Sequence, residues 1–179
     1  MSSIQLFIAC TIDGFIAREN GSLDWLFELD NPNRTDHGYN DFISGIDTLV
    51  MGRKTYEVLL GLMDEWPYPN CKTYIVTYNT SFEVTTGSTS VLHEVNEEVI
   101  NDLRSKGGKN IWLVGGGELI TRFVNLGAID EMIISIIPLI LGKGIRLFTG
   151  MPEETNFELV NTGSFETGVV NLNNKKKQN

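Results

Sequence analysis

The sequence predicts an α/β domain with a mostly parallel central sheet, flanking helices and a C-terminal antiparallel hairpin. Strand-like and helix-like segments alternate as far as residue 137, which is typical of a parallel sheet covered by helices. Residues 4–10 form a continuous apolar run, as expected of a strand buried on both faces. Residues 156–165 and 168–172 flank a glycine-containing turn, and this pattern favours a hairpin.

The length of the chain favours a single domain. With 179 residues it is long enough for one substantial core and short for two, so we expect one domain over residues 1–172. Residues 173–179 (NNKKKQN) are polar and basic, and we expect them to form a disordered tail.

The individual elements follow from local patterns. Strands are predicted where apolar or β-branched runs end at turn residues: 4–10, 48–51, 72–77, 91–93, 110–114, 129–137, 156–165 and 168–172. Helices are predicted at 39–44, 54–61, 97–106 and 118–125. Asn96 can cap the third of these helices, which has acids in its first turn and bases in its last. Pro138 marks where the strand before it should stop pairing or reach a sheet edge.

Composition excludes several classes of protein. The formal charge of −9 argues against a general nucleic-acid binder, whose affinity depends on many Lys and Arg contacts. No apolar run approaches the length of a membrane span. A signal peptide would require a basic residue before its apolar run, and none precedes the first apolar run here. Cys10 and Cys71 form neither a disulfide framework nor a metal-binding pair, so we expect a reduced, cytoplasmic protein without a metal site.

A glycine turn after the strand at 48–51 has the features of a phosphate site. Gly52 permits a tight turn, and Arg53, Lys54 and Thr55 stand where the next helix would begin. A helix N-terminus offers unpaired N–H groups and positive potential, while Arg adds a bidentate fork and Thr a hydroxyl.

A second glycine turn, Gly115 to Gly117, repeats this arrangement after the strand at 110–114. Missing side chains there would let a pyrophosphate approach the backbone. Either turn alone is as readily explained as a simple turn with solvated cations. Together they favour a nucleotide site, because ligands of parallel sheets bind at the carboxyl ends of strands. Cations are also scarce, since the first hundred residues contain only Arg18, Arg34, Arg53, Lys54 and Lys72.

The common nucleotide and deaminase motifs do not fit. Counting from Gly115, the sixth position of a Rossmann fingerprint is Ile120, and the turn lies late in the chain. A Walker A loop is absent, and neither His37 nor His93 begins the H-x-E motif of a zinc deaminase.

Four motifs resemble the dihydrofolate reductase-like superfamily, most closely the group that contains the reductase domain of bacterial riboflavin biosynthesis. They are TIDGFIA (11–17), LVMGRKTY (49–56), VGGG (114–117) and PLILGKG (138–144). The resemblance extends over residues 4–172, and the last motif is similar to the riboflavin branch and unlike classical folate reductases.

This resemblance implies NADPH as cofactor. Arg53 and Lys54 would face its phosphates, Thr55 would donate to the pyrophosphate, and Thr77 and Tyr78 would flank the adenosine 2′-phosphate. Arg53 is the best candidate for choosing NADPH over NADH. The full set of cofactor residues that the resemblance implies is Ala9, Gly52, Arg53, Lys54, Thr55, Thr77, Tyr78, Val114, Gly115, Gly116, Gly117, Glu118 and Leu119.

The substrate side is less completely specified. Folate reductases carry an acid near a Pro-Trp pair, and here Asp24 or Asp30 could take that part, with Trp25 as a wall. Alternatively, Asp24 only caps a helix and Trp25 belongs to the core. The Pro is missing, and Ile120 stands where folate reductases commonly carry Tyr, which argues against folate as substrate.

Three further residues are candidates for substrate binding. Ser135 keeps a hydroxyl where the superfamily often has Thr, although it could be satisfied locally. Lys143 and Arg146 lie in a glycine-hinged loop, residues 141–148. They could hold the ribose phosphate of a pyrimidine substrate, or could simply be solvated.

The expected function is therefore hydride transfer from NADPH to a small heterocycle or an imine or carbonyl compound, as in 5-amino-6-(5-phosphoribosylamino)uracil reductases. Dihydrofolate reduction and a non-catalytic NADPH-binding or ligand-binding module remain alternatives. We also expect a homodimer, because riboflavin-type relatives pair through a sheet edge and the strand at 129–137 is expected to end at one.

Overall fold

The computed structural model describes residues 1–106 and 108–177. The strands are β1 (Ile4–Thr11), β2 (Phe15–Ala17), β3 (Ile46–Gly52), β4 (Lys72–Val76), β5 (Thr89–Leu92), β6 (Asn110–Gly115), β7 (Glu131–Ile137), β8 (Ile145–Arg146), β9 (Phe157–Ser164) and β10 (Val170–Lys176). The helices are α1 (Asp24–Phe27), α2 (Tyr39–Ser44), α3 (Arg53–Leu62), α4 (Glu97–Ser105) and α5 (Gly117–Asn125).

Eight strands form one sheet in the order β5-β4-β3-β6-β1-β7-β10-β9. The first six are parallel to one another, and the hairpin of β9 and β10 adds two antiparallel strands beside β7. This architecture confirms the predicted fold class. A separate pair, β2 with β8, was not predicted, because three-residue and two-residue strands are too short to show a period.

Helices cover both faces of the sheet. Successive residues of a strand point to opposite faces, and on β6 Leu113 packs with α4 and α5 while Trp112 packs with α2 and α3. This two-sided burial explains the continuous apolar runs in the central strands. The longest helix has ten residues, and within the described residues no helix has the length and apolarity needed to cross a membrane.

The predicted disordered tail is wrong for residues 173–176, which belong to β10. Its backbone pairs with β7 on one side and β9 on the other. Lys175 lies 3.5 Å from Glu131, and Lys176 Nζ donates to the carbonyl of Gly127 at 2.6 Å. Neighbouring strands on both sides thus order a polar segment that has no apolar alternation of its own. Residues 178 and 179 lie outside the described residues.

The expectation that the strand at 129–137 reaches a sheet edge is also wrong. The strand begins at Glu131, and β7 is interior, with β1 on one side and β10 on the other. The edges of the described sheet are β5 and β9. Pro138 ends the strand without making it an edge, because it follows the last paired residue, Ile137.

Candidate active site

The two glycine turns meet at the carboxyl ends of neighbouring parallel strands. Met51 of β3 pairs with Gly115 of β6. A Cβ atom placed on Gly52 would lie 3.8 Å from the carbonyl oxygen of Gly115 and 3.9 Å from the nitrogen of Gly116. The structure therefore brings both turns to one place, as the sequence pattern requires of a single nucleotide site.

Both glycine turns lead directly into helices. Gly52 is the N-cap of α3 and Gly116 the N-cap of α5, and in the described residues no side chain caps either helix. In α4, by contrast, the N–H of Val99 donates to Asn96 Oδ1 at 2.9 Å, as predicted. Uncapped N–H groups at adjoining helix N-termini suit an anion such as a pyrophosphate.

The three glycines of the second turn have different roles. Gly115 has φ +138°, a conformation that favours glycine, and a Cβ on Gly116 would lie 3.5 Å from Thr55 Oγ1. A Cβ on Gly117 would lie only 2.3 Å from the carbonyl oxygen of Arg146 and 2.9 Å from Thr149 Cγ2. Gly117 is thus required for the packing of α5 against residues 146–149, a reason the sequence did not reveal.

The cations of the first turn are only loosely held. Arg53 is the first residue of α3, and its guanidinium lies 3.7 Å from Glu57 and 6.0 Å from the ring of Phe82. Lys54 is exposed, while Thr55 is half-buried beside Gly116. An exposed pair such as Arg53 with Glu57 contributes little, about 0–1 kcal/mol, so the guanidinium is free to turn toward a phosphate.

A second arginine stands at the expected adenosine end. Thr77 is buried just after β4, and the carbonyl oxygen of Thr77 lies 3.0 Å from His93 Nδ1. Tyr78 is exposed, and its hydroxyl is hydrogen-bonded to Nη1 of Arg122 from α5. The Arg122 guanidinium also lies 5.9 Å from the Tyr78 ring, and its Nε donates to the carbonyl of Val95 at 2.7 Å. The sequence analysis did not identify Arg122. The only indication in the sequence was an arginine in the helix that follows the second glycine turn.

The remaining predicted cofactor residues differ in exposure. Ala9 on β1 and Val114 on β6 are half-buried, and Ala9 packs against the buried cluster of Trp25, Ile137 and Val169. Glu118 is exposed in the first turn of α5. The Leu119 side chain belongs to the core, so only its backbone is available to a ligand.

Asp24 is tied to its own loop. Arg18 Nε donates to both of its carboxylate oxygens, at 2.7 and 2.9 Å, and Ser22 Oγ donates at 3.0 Å. The hydrogen bond from Arg18 lowers the pKa of the Asp24 carboxyl to about 2. Asp24 is the first residue of α1, and the N-cap is Leu23, so the alternative that Asp24 caps a helix is wrong. The carboxylate holds together the ends of the loop between β2 and α1.

Trp25 forms part of a buried apolar wall with one unpaired polar atom. It is 5% exposed and packs with Ile137 and Val169. Its Nε1 is fully buried and has no hydrogen-bond partner among the described residues. Because an unpaired buried N–H is costly, this atom is a candidate donor to a bound ligand.

Asp30 lies beyond the end of α1 and is exposed, and within the described residues its carboxylate makes no hydrogen bond or ion pair. The loop that follows is held against the β9–β10 turn. Asn33 Nδ2 donates to Glu166 Oε1 at 2.6 Å, and His37 Nε2 lies 2.8 Å from Thr167 Oγ1. The loop after Asp30 thus has a defined position, while its carboxylate stays available.

Ser135 is satisfied within the protein. It is buried on β7, and its Oγ donates to Asn171 Oδ1 at 2.7 Å. Asn171 Nδ2 in turn donates to the carbonyl of His37 at 2.7 Å. The hydroxyl therefore connects the hairpin with the loop before α2.

The glycine-hinged loop is anchored by Asp13, a residue that the sequence suggested only as part of a turn. Asp13 accepts hydrogen bonds from Thr11 Oγ1 at 2.6 Å, from the N–H of Leu141 at 3.1 Å and from the N–H of Gly142 at 2.7 Å. These bonds, that from Thr11 foremost, lower the pKa of the Asp13 carboxyl to about 2.

The two cations of this loop already have contacts. Lys143 Nζ lies 3.2 Å from Glu19, although both side chains are largely exposed. The Arg146 guanidinium stacks 5.0 Å from the ring of Phe15. Each contact is at the surface and weak enough to be exchanged for a ligand.

Comparisons with known proteins agree with this geometry. The protein YwjB of Bacillus subtilis strain 168 is 38% identical over 172 residues, which is 92% of each chain. A structure from Shewanella sp. PV-4, described as a riboflavin biosynthesis protein, is 31% identical with a TM-score of 0.87, covering 98% of this chain and 99% of that one. Dihydrofolate reductase from Enterococcus faecalis shares the fold, with 18% identity and a TM-score of 0.68 over 98% of this chain and 97% of its own.

A family model covers almost the whole chain. The RibD C-terminal domain matches residues 2–171, which include both glycine turns, the Trp25 wall and the loop anchored by Asp13. The chain therefore belongs to the RibD C-terminal domain family, a reductase family with the dihydrofolate reductase-like fold.

Proposed function

We propose that this protein is an NADPH-dependent reductase that transfers hydride to a small planar nitrogenous heterocycle or to an imine or carbonyl compound. The observation that carries the proposal is the meeting of two uncapped helix N-termini at Gly52 and Gly116. A dinucleotide pyrophosphate needs clustered N–H donors and no side chains in the way, and this corner of the sheet supplies both.

The residues present fit NADPH. The first turns of α3 and α5 would hold the pyrophosphate, with Thr55 Oγ1 and the guanidinium of Arg53 beside it. NADPH would supply the hydride, and the chain would orient the two reacting rings and exclude water. The half-buried Ala9 and the Trp25 wall adjoin each other and provide an apolar surface for those rings.

Asp30 is the carboxylate that we assign to the substrate. Asp24 is occupied by Arg18, and a carboxyl with a pKa of about 2 is a poor proton carrier near neutral pH. Asp30 has no competing contact among the described residues, and Trp25 Nε1, on the helix that precedes Asp30, is an unpaired donor. Paired polar groups of this kind recognise the edge of an amino-pyrimidine ring.

A riboflavin-type pyrimidine is the favoured acceptor. The Shewanella relative, described as a riboflavin biosynthesis protein, covers nearly the whole chain at 31% identity. Lys143 and Arg146 are exposed and only weakly paired, so they are available to a ribose phosphate. Dihydrofolate is the second acceptor to test.

The test is a titration followed by turnover. Purified protein is titrated with NADPH and with NADH while nicotinamide fluorescence is followed, and dihydrofolate or the riboflavin-pathway pyrimidine is then added while nicotinamide absorbance is recorded. We expect tighter binding of NADPH and its oxidation by one acceptor. Failure of both nucleotides to bind would refute the proposal, whereas tight binding with no oxidation would favour a non-catalytic module.

Matched variants test the carboxylate assignment. Asp30→Asn should lower kcat at least tenfold without changing NADPH affinity, because it removes a group that contacts only the acceptor. Asp24→Asn should lower the melting temperature and keep most of the turnover, since that carboxylate ties a loop. Equal turnover of wild type and Asp30→Asn would contradict the assignment.

We also propose a homodimer that uses β9 and not the interior β7. The described sheet ends at β9, so one side of this strand has unpaired backbone groups. Leu159 and Val160 on β9 are more than half exposed, which is unusual for two adjacent apolar residues of an edge strand. A second copy of the chain that pairs with this edge would satisfy the unpaired backbone groups and cover part of these side chains.

A further inference from the structure

We infer that Asn171 is a positioning residue for the acceptor, because it fixes the loop that follows Asp30, the carboxylate assigned to the substrate. The inference rests on the proposed function, since it concerns the same site. It departs from the expectation that the Ser135 hydroxyl binds the substrate, because it gives that hydroxyl the task of orienting Asn171.

Asn171 lies on the face of the sheet that carries the Trp25 wall. On β10 it pairs with Ser135 of β7, which in turn pairs with Ala9 of β1. Directly paired residues point to the same face, so these three side chains form one row across the sheet. Ile137, which packs against Trp25, lies two positions beyond Ser135 and therefore on the same face.

The amide of Asn171 has a defined orientation. Its Oδ1 accepts a hydrogen bond from Ser135 Oγ at 2.7 Å, and its Nδ2 donates to the carbonyl of His37 at 2.7 Å. Asn171 is only 7% exposed and Ser135 only 4%, so water does not readily replace either bond. Because an unpaired buried polar group is costly, Ser135 fixes which end of the amide faces His37.

His37 needs such contacts because its backbone is in a disfavoured conformation. Its φ of +53° lies in the left-handed region, which residues other than glycine seldom adopt. The ring is held by Thr167, whose Oγ1 lies 2.8 Å from Nε2, and by Phe165 in an edge-on contact at 4.9 Å. The carbonyl is held by Asn171. Loss of that bond would release the peptide group after His37.

The chain between Asp30 and His37 transmits this restraint. Asn31 Oδ1 accepts from the N–H of Thr35 at 2.8 Å, and Asn31 Nδ2 donates to the carbonyl of Thr35 at 2.8 Å. Residues 31–35 are thus closed on themselves and move as one unit. Asp30 directly precedes this unit, and its carboxylate has no contact of its own among the described residues. Its position therefore depends on where His37 is held.

The experiment uses Asn171→Asp, which keeps the size of the side chain and the acceptor for Ser135 but removes the N–H donated to His37. NADPH oxidation is measured with the riboflavin-pathway pyrimidine and with dihydrofolate. Misplacement of Asp30 should raise KM for the acceptor and lower kcat, each by about tenfold. The Kd of NADPH should stay within about twofold, because the glycine turns are unchanged. Asn171→Ala, which removes both bonds, should have the same effect.

The matched control is Asn174→Asp on the same strand. Asn174 Nδ2 donates to the carbonyl of Leu172 in its own strand, so this variant should leave KM and kcat within about twofold of wild type. Far-ultraviolet circular dichroism and melting curves establish that the variants are folded.

Hydrogen–deuterium exchange follows the loop without any acceptor. Exchange in residues 31–38 should be at least about tenfold faster in Asn171→Asp and unchanged in Asn174→Asp. The inference is overturned if this exchange stays at the wild-type rate, or if Asn171→Asp and Asn171→Ala keep the wild-type KM and kcat. It is also overturned if Ser135→Ala lowers turnover more than Asn171→Asp, because the hydroxyl would then act on the substrate directly. Failure of the proposed function would be distinct, since the wild-type protein would then oxidise NADPH with neither acceptor.

Discussion

Substitution of Gly117 by Ala tests the different roles of the glycines. The added Cβ would lie 2.3 Å from the carbonyl oxygen of Arg146, roughly 1 Å inside normal contact, and 2.9 Å from Thr149 Cγ2. Because the carbonyl belongs to the backbone, residues 146–149 must move. Overpacking of this kind costs about 1–3 kcal/mol.

The expected change in melting temperature follows from the size of the chain. For a domain of 150–250 residues, each kcal/mol lowers the melting temperature by about 2–4 °C, so Gly117→Ala should lower it by about 2–12 °C. The matched control is Gly52→Ala, whose Cβ would have no neighbour nearer than 3.8 Å. That variant should lose less than about 1 kcal/mol of folding stability, which is the scale of a changed N-cap. Its Cβ would nevertheless enter the gap between the two turns, and NADPH binding should weaken.

The assay is thermal and urea unfolding followed by tryptophan fluorescence, with NADPH titration of each variant. Trp25, Trp66 and Trp112 all pack in clusters that unfolding would expose. A melting temperature for Gly117→Ala within 1 °C of wild type would refute the close backbone approach. Equal destabilisation by Gly52→Ala would refute the distinction between a packing glycine and a ligand glycine.

Two further predictions concern acid stability and assembly. Folding lowers the pKa of Asp13 and Asp24 to about 2, below the unfolded value of about 3.9, so the stability that they contribute is complete above pH 4 and is lost as pH falls toward 2. Asp13→Asn should therefore reduce the fall in the urea-unfolding midpoint between about pH 4 and pH 2. A midpoint that depends on pH as in the wild type would contradict the assignment. For assembly, Val160→Lys on β9 should convert a dimer into a monomer in light scattering, while Leu62→Lys on α3 should not; a wild-type monomer at micromolar concentration would refute the dimer.

The parallel core was predictable because its strands are buried on both faces. The apolar runs of β1, β3 and β6 carry this signal directly, and glycine turns mark where two of them end. The sequence also placed both turns at one edge, since the carboxyl ends of parallel strands share an edge. Local chemistry was sufficient for this part of the site.

What was not predictable depends on long-range partners. β10 consists largely of Asn and Lys and is ordered by pairing with β7 and β9. The sequence indicated Asp13 only as a turn residue, because the N–H groups of Leu141 and Gly142 that donate to its carboxylate lie 128 and 129 positions away in the chain. Arg122 was missed for the same reason, since Tyr78 is 44 positions away. Such contacts leave no periodic pattern in the sequence.

An acidic chain can hold an anionic dinucleotide because local fields outweigh the net charge. At physiological ionic strength the Debye length is about 8 Å. Most of the surface carboxylates that give the chain its charge of −9 are therefore screened from the corner of the sheet formed by Gly52, Gly115 and Gly116. Within that corner, the α3 N-terminus, the α5 N-terminus and Arg53 all present positive potential, and each helix contributes about 0.3–1 kcal/mol. Backbone N–H groups, unlike Lys side chains, are already fixed before the ligand arrives. Binding should therefore depend more on the geometry of Gly52, Gly115 and Gly116 than on the number of cations in the chain.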